Sequence, residues 1–238
     1  MKLIAAKGKD RFGSRIPTIA FLGDSVTQGC FDIYMKTETE LETYFNKNCA
    51  YHNYVAQMLT VLFPEAPVTI INAGISGDTA PGGLKRLERD VLSYKPDLTV
   101  VCFGLNDCGK GMDAIDEYAN AMKEIFSRLK AAGGEVILMT PNMMNTKISC
   151  HTHGELFTNI AKWCMKNQNE GVLEAYLEAA KLAATEQGVK ICDVYAKWKA
   201  MEAHGVDVTE LLANKINHPS EEMNRLFAYS LIETMFSE

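Results

Sequence analysis

Five short apolar runs, near residues 17–23, 68–72, 98–103, 135–139 and 189–193, are separated by segments whose apolar residues recur at helical spacing. Strands that alternate with helices are joined by crossovers, and crossovers lay neighbouring strands parallel. The pattern predicts an α/β fold with helices on both faces of a parallel sheet. The clearest helix covers 113–131, where Ile115, Tyr118, Ala119, Met122, Ile125, Phe126 and Leu129 form one stripe before Gly133-Gly134. A second runs from about Val172 to Gln187 and stops at Gly188, and a last one starts at Ser220, a suitable N-cap, with Met223, Leu226, Phe227 and Leu231 turned inward.

Two longer segments, about 30–49 and 142–171, interrupt this alternation. Both leave the carboxyl end of an expected strand, so both are read as loop insertions that wall a functional cleft. With no repeat, low-complexity tract or linker, residues 1–238 are expected to form one domain.

Composition excludes several classes of function. The net charge is −6, and acidic and basic residues are interspersed without a basic stripe, which argues against a nucleic-acid partner. No apolar run approaches the roughly 20 residues that span a bilayer, so no membrane role is expected. The apolar stretch Leu3-Ile4-Ala5-Ala6, closed by Lys7, is too short for the core of a secretory signal. Seven cysteines (30, 49, 102, 108, 150, 164 and 192), an odd number without a Cys-x-x-Cys pair, suit reduced thiols. The expected location is the cytoplasm.

Polar residues then gather where the strands end. Ser25 follows Ala20-Phe21-Leu22-Gly23-Asp24, Asn72-Ala73-Gly74 follows Val68-Thr69-Ile70-Ile71, and Gly104-Leu105-Asn106-Asp107 follows Leu98-Thr99-Val100-Val101-Cys102-Phe103. His218-Pro219 stands just before the terminal helix. In a parallel sheet these ends share one edge, where a serine hydroxyl can serve as a nucleophile. His218 is the best base for it, since a neutral imidazole takes the hydroxyl proton and returns it to a leaving group. Each residue alone has a plainer reading: Gly74 and Asn106 as turn residues, His218 as a packing or capping side chain.

Taken together, the string Gly23-Asp24-Ser25-Val26-Thr27-Gln28-Gly29, Gly74, Gly104-Leu105-Asn106-Asp107 and His218 resemble the SGNH (GDSL-type) hydrolases. The resemblance spans nearly the whole chain and has several implications. The fold would be a three-layer α/β/α sandwich whose central five-stranded parallel sheet has flavodoxin-like order. The reaction would be hydrolysis of esters or thioesters through an acyl-enzyme on Ser25, with a small ester as partner and neither cofactor nor metal. The oxyanion would be held by the backbone N–H groups of Ser25 and Gly74 and by the Asn106 amide. Asp24 and Asp107 would hold the loops by accepting backbone N–H groups. One departure stands out. The family usually carries Asp three residues before its histidine, and here that position is Lys215, which cannot accept a ring N–H. Either Asp193, Asp207, Glu210 or a backbone carbonyl substitutes, or the pair works as a dyad.

Family analogy favours short acyl groups, such as acetate on a carbohydrate. A lysophospholipase or acyl-thioesterase is the alternative within enzymes. From another class comes a carbohydrate-binding or interaction protein that has lost catalysis, with Lys215 as the mark of decay. Phe31, Tyr34, Tyr44, Phe45 and Tyr51 suit either a sugar-stacking surface or the packing of their own segment. His151-x-His153 lacks further ligands at metal spacing. The absence of Gly-x-Ser-x-Gly argues against the larger α/β-hydrolase group. With an ordinary histidine, activity should fall on the acid side near pH ~6.5.

Overall fold

The computed structural model describes residues 1–237. Helix α1 (Lys2–Lys9) precedes strand β1 (Thr18–Gly23), which runs almost directly into the single-turn helix α2 (Ser25–Gln28). A hairpin of β2 (Cys30–Met35) and β3 (Leu41–Phe45) follows, then α3 (Tyr51–Leu62), β4 (Thr69–Gly74), α4 (Ala80–Asp90) and β5 (Leu98–Cys102). The second half contains α5 (Ile115–Ala131), β6 (Glu135–Met139), α6 (Glu155–Asn169), α7 (Val172–Glu186), β7 (Lys190–Cys192), α8 (Val194–Ala203) and α9 (Glu221–Phe236).

Five strands form one parallel sheet in the order β4-β1-β5-β6-β7. This is the expected α/β/α sandwich with flavodoxin-like order. Helices α3 and α9 pack together against one face, and α4, α5 and α7 against the other. Burial on both faces explains why the strands read as unbroken apolar runs. Phe21 and Leu22 of β1, and Val100 and Val101 of β5, are fully enclosed. Each such side chain contributes about 1.5–3 kcal/mol relative to exposure. From β1 the chain moves to β4 on one side and then crosses to β5 on the other. The crevice at the carboxyl ends of β1 and β5 is therefore the place where such a sheet presents a site.

The two interrupting segments are not plain loops. Residues 30–49 contain the antiparallel β2–β3 hairpin, and 142–171 contain an irregular stretch followed by all of α6. Ala161, Cys164 and Gln168 carry a helical stripe onto the core, so a polar surface had concealed a regular element. Both segments are rooted next to the crevice. Asn46 donates its backbone N–H to Gly29 O (2.9 Å) and its side-chain amide to Glu221 Oε1 (2.7 Å). At the other root, Asn142 Nδ2 donates to Asn217 O (2.8 Å) and Asn145 N–H to Ile216 O (2.8 Å).

Candidate active site

Ser25 is the first residue of α2, and Asp24 caps that helix by accepting the Val26 N–H (3.0 Å). Thr27, one turn away from the strand end, is pinned by its hydroxyl to Tyr51 OH (2.8 Å). The serine is thus held on a rigid strand-to-helix junction. His218 arrives from a loop clamped by a bridge between Leu212 and Pro219 and by the Ala213 N–H to His218 O bond (2.8 Å). Ser220 then caps α9 by accepting the Met223 N–H (3.3 Å). The result is a contact across 193 residues of chain: His218 Nε2 lies 2.8 Å from Ser25 Oγ. The two side chains are 2% and 5% exposed, so nearly all water is excluded from the pair.

None of the three carboxylates considered for orienting His218 does so. Asp193 accepts from Thr140 Oγ1 (2.9 Å), the Ala196 N–H (3.0 Å) and Lys181 Nζ (2.9 Å), capping α8 instead. Asp207 pairs with Lys147, and Glu210 accepts from Ser149 Oγ (3.1 Å) and pairs with Lys215 Nζ (3.1 Å). The neighbour of His218 Nδ1 is Asn214 Nδ2, at 2.9 Å. With no carboxylate beside it, burial alone acts on the ring and lowers its pKa to about 4. Lys215 sits in the left-handed region (φ 57°) and directs its ammonium to Glu210, away from the imidazole.

Of the residues expected to hold the oxyanion, Asn106 donates one Nδ2 hydrogen to Asp78 O (2.9 Å) and keeps a second in hand. Gly74 does not fit the role expected of it, because its N–H already donates to Asn72 Oδ1 (3.0 Å). A side chain at Gly74 would collide with the backbone of Thr27 and Gln28, so this glycine serves the close packing of β4 on α2. Gly77 has the properties that Gly74 lacks. Its φ of 77° suits glycine, a Cβ there would meet open space, and its N–H has no acceptor among the described residues. Ser76 N–H to Gln28 Oε1 (2.7 Å) and the Asn106–Asp78 bond hold this turn between α2 and the β5 loop.

Asp24 and Asp107 bond backbone rather than the reacting pair. Asp107 Oδ1 accepts the Ala80 N–H (2.9 Å) at the start of α4, while its Oδ2 is buried without a partner. Burial raises the Asp107 pKa to about 6. Asp24 rises to about 7, through burial first and then the nearby charges of Asp107 and Asp78. Sequence reasoning missed Arg86, whose buried guanidinium donates to Gly23 O (2.9 Å), Ala73 O (2.7 Å) and Asp78 Oδ2 (2.6 Å). It ties the ends of β1 and β4 to the Gly77 turn. In Lys85-Arg86-Leu87-Glu88-Arg89 it resembles one more solvated charge, and only its register on the face shared with Gly83 and Leu87 marks it.

Other chemistry is weakly served. Burial raises the thiols of Cys30 and Cys164 to about 12 and that of Cys192 to about 11, which keeps them neutral and poorly nucleophilic. Among the described residues, no three His, Cys, Asp or Glu side chains gather as metal ligands, His151 and His153 included. A cavity of about 760 Å³ lies at the opposite edge of the sheet, lined by Leu98, Glu135, Val136 and Lys190. No helix among the described residues is long and apolar enough to cross a membrane.

Comparison with known proteins bears on the fold and the family. The acetylxylan esterase of Geobacillus stearothermophilus is 31% identical over 133 residues, a match that covers 52% of this chain and 58% of that enzyme. The chain thus aligns with little more than half the length of that curated relative. The crystal structure of an acetylxylan esterase from the same organism superposes with a TM-score of 0.68 at 22% identity, covering 93% of this chain and 95% of the other. A lipase/acylhydrolase structure from Enterococcus faecalis gives 0.68 at 21% identity, covering 92% and 95%. These two likenesses establish the fold. Residues 21–226 match the GDSL-like Lipase/Acylhydrolase profile, a span that begins within β1 just before Ser25 and ends beyond His218. The chain belongs to the GDSL-like lipase/acylhydrolase family.

Proposed function

We propose that this protein is a serine esterase that removes short acyl groups, acetyl above all, from a hydroxylated small molecule such as an acetylated carbohydrate. The observation that carries this is the 2.8 Å approach of His218 Nε2 to Ser25 Oγ in a water-poor site. Ser25 Oγ attacks the ester carbonyl as its proton passes to Nε2, and the imidazolium then protonates the departing alcohol. Water reverses the sequence on the acyl-enzyme, restoring the serine and releasing the acid. The oxyanion is held by the Ser25 N–H, the Asn106 amide and the Gly77 N–H, which replaces the Gly74 group first considered. Asp24, Asp107 and Arg86 keep these donors in place by holding the backbone on either side of them.

Two observations favour a carbohydrate ester. The relative described above is named for acetylxylan, and exposed rings flank the segments rooted at the crevice: Tyr34 and Tyr44 on the β2–β3 hairpin and Trp163 on α6, whose indole covers Gly109. By contrast, Phe31 and Tyr51 are buried, Phe31 against Tyr44 of its own hairpin and Tyr51 in the core against Phe21 and Phe227. Five buried, unpaired cysteines support a reducing location such as the cytoplasm. A panel of acetylated xylo-oligosaccharides, p-nitrophenyl esters of rising acyl length, acyl-CoA and lysophospholipid tests the substrate class. The highest kcat/KM is expected for acetyl esters. A preference for long acyl chains would favour a lysophospholipase or thioesterase, and sugar binding without hydrolysis would favour the binding protein.

Two further results follow from the site. Asn106→Ala should lower kcat about 10²-fold, the usual scale for losing one oxyanion donor, and a change confined to KM would remove Asn106 from that role. The acid limb of kcat/KM should lie near pH 4, the burial-lowered His218 value, rather than near 6.5. The sign follows from the base: Nε2 works only when unprotonated, and a lowered pKa postpones protonation to more acidic solution. The His218 ring itself should not titrate between about pH 6 and 8, and a ring that titrates at the ordinary histidine value would contradict the buried, carboxylate-free environment.

A further inference from the structure

Asn214 is the only side chain that meets the outer nitrogen of His218 among the described residues, and its own orientation is not free. Its Oδ1 accepts three backbone N–H groups, from Ile216, Asn217 and His218, each at 3.0 Å. Turning the amide over would set Nδ2 against three donors, so Oδ1 faces the backbone and Nδ2 faces the ring. The two Nδ2 hydrogens are then both assigned, one to His218 Nδ1 (2.9 Å) and one to Asn217 Oδ1 (3.0 Å). An N–H aimed at Nδ1 requires a lone pair there. In the neutral ring the proton must then sit on Nε2, where it donates to Ser25 Oγ.

We propose that Asn214 is a positioning residue that holds His218 in the Nε2–H tautomer, so that the resting pair has its proton on the wrong nitrogen for catalysis and turns over slowly. This rests on the assignment of Ser25 as nucleophile and His218 as base. To accept the serine proton, Nε2 must offer a lone pair, which places the ring proton on Nδ1. Asn214 can accept that proton only by turning its amide and giving up the three backbone bonds. The reactive tautomer is therefore a minor state, and the rate is reduced by its fraction. The left-handed turn at Lys215 creates this arrangement by bringing the residue four places before the histidine, rather than three, up to the ring.

An aspartate at this position would reverse the tautomer. One carboxylate oxygen keeps the three backbone N–H groups, and the other takes the place of Nδ2 and accepts from Nδ1–H. Asn217 needs only to rotate its amide and present Nδ2 to that oxygen. In a complete triad the opposite change, carboxylate to amide, lowers kcat by ~10⁴ through the tautomer. Asn214→Asp is accordingly expected to raise kcat about 10-fold or more on p-nitrophenyl acetate, with KM little changed, and to move the acid limb to higher pH because a carboxylate now stabilises the imidazolium.

The test combines those kinetics with histidine-selective ¹⁵N labelling and two-bond ¹H–¹⁵N correlation at pH 8, with the His218 signals assigned by their loss in His218→Gln. The original protein is expected to show a protonated Nε2 and a bare Nδ1, and Asn214→Asp the reverse. A protonated Nδ1 in the original protein overturns the proposal, as does a folded Asn214→Asp with unchanged kcat. If that variant does not fold, the spectrum of the original protein still decides. If neither protein hydrolyses esters, the esterase assignment falls while the ring spectra still judge Asn214.

Discussion

Alanine at Ser25 is expected to lower kcat on p-nitrophenyl acetate by about 10²- to 10⁴-fold without unfolding the protein. The size follows from comparing losses in related constellations. Removing the serine of a complete triad costs ~10⁶, and removing its carboxylate alone costs ~10⁴. This chain has an amide where the carboxylate would stand, so part of that factor is already missing and the serine carries the rest. The substitution should leave the fold intact because Ser25 Oγ bonds only His218 among the described residues, while α2 is capped by Asp24. A purified Ser25→Ala protein with a native circular dichroism spectrum and unchanged kcat would remove the nucleophile from the account.

His218→Ala should cost a similar factor, about 10²- to 10⁴-fold, and the double variant should lose little more than either single one. Groups that act on the same proton are not additive: without the base the hydroxyl is unactivated, and without the hydroxyl the base has nothing to deprotonate. Measuring kcat for all three variants checks this. If the two losses multiplied, Ser25 and His218 would be working independently, and the 2.8 Å contact would be structural. The ring also fills a buried position under the Leu212–Pro219 bridge, so thermal unfolding of His218→Ala, read in parallel, separates a lost base from a loosened loop.

The parts that could be read before any coordinates are those that depend on local pattern. The five apolar runs became the five strands of the sheet because burial on both faces leaves no room for polar alternation, and Ser25 sits at the edge where parallel strands end, within reach of His218. What stayed hidden depends on where individual N–H groups point. That β4 ends on a glycine was visible at Gly74, but not that Asn72 consumes its N–H while the N–H of Gly77, three residues on, has no acceptor among the described residues. Counting three residues back from His218 led to Lys215, since the left-handed turn that advances Asn214 by one place leaves no mark in composition. Asp193 looked available at a strand end and proved to be committed to a helix cap and Lys181. Arg86 looked solvated because a buried cation is legible only from its partners.

Labelling with a fluorophosphonate, followed by intact-mass measurement and peptide mapping, asks whether this serine is activated at all. One adduct per chain, located on Ser25, absent from Ser25→Ala and formed much more slowly in His218→Ala, is the expected result. A folded protein that remains unlabelled, or that carries its adduct on another residue, would contradict it.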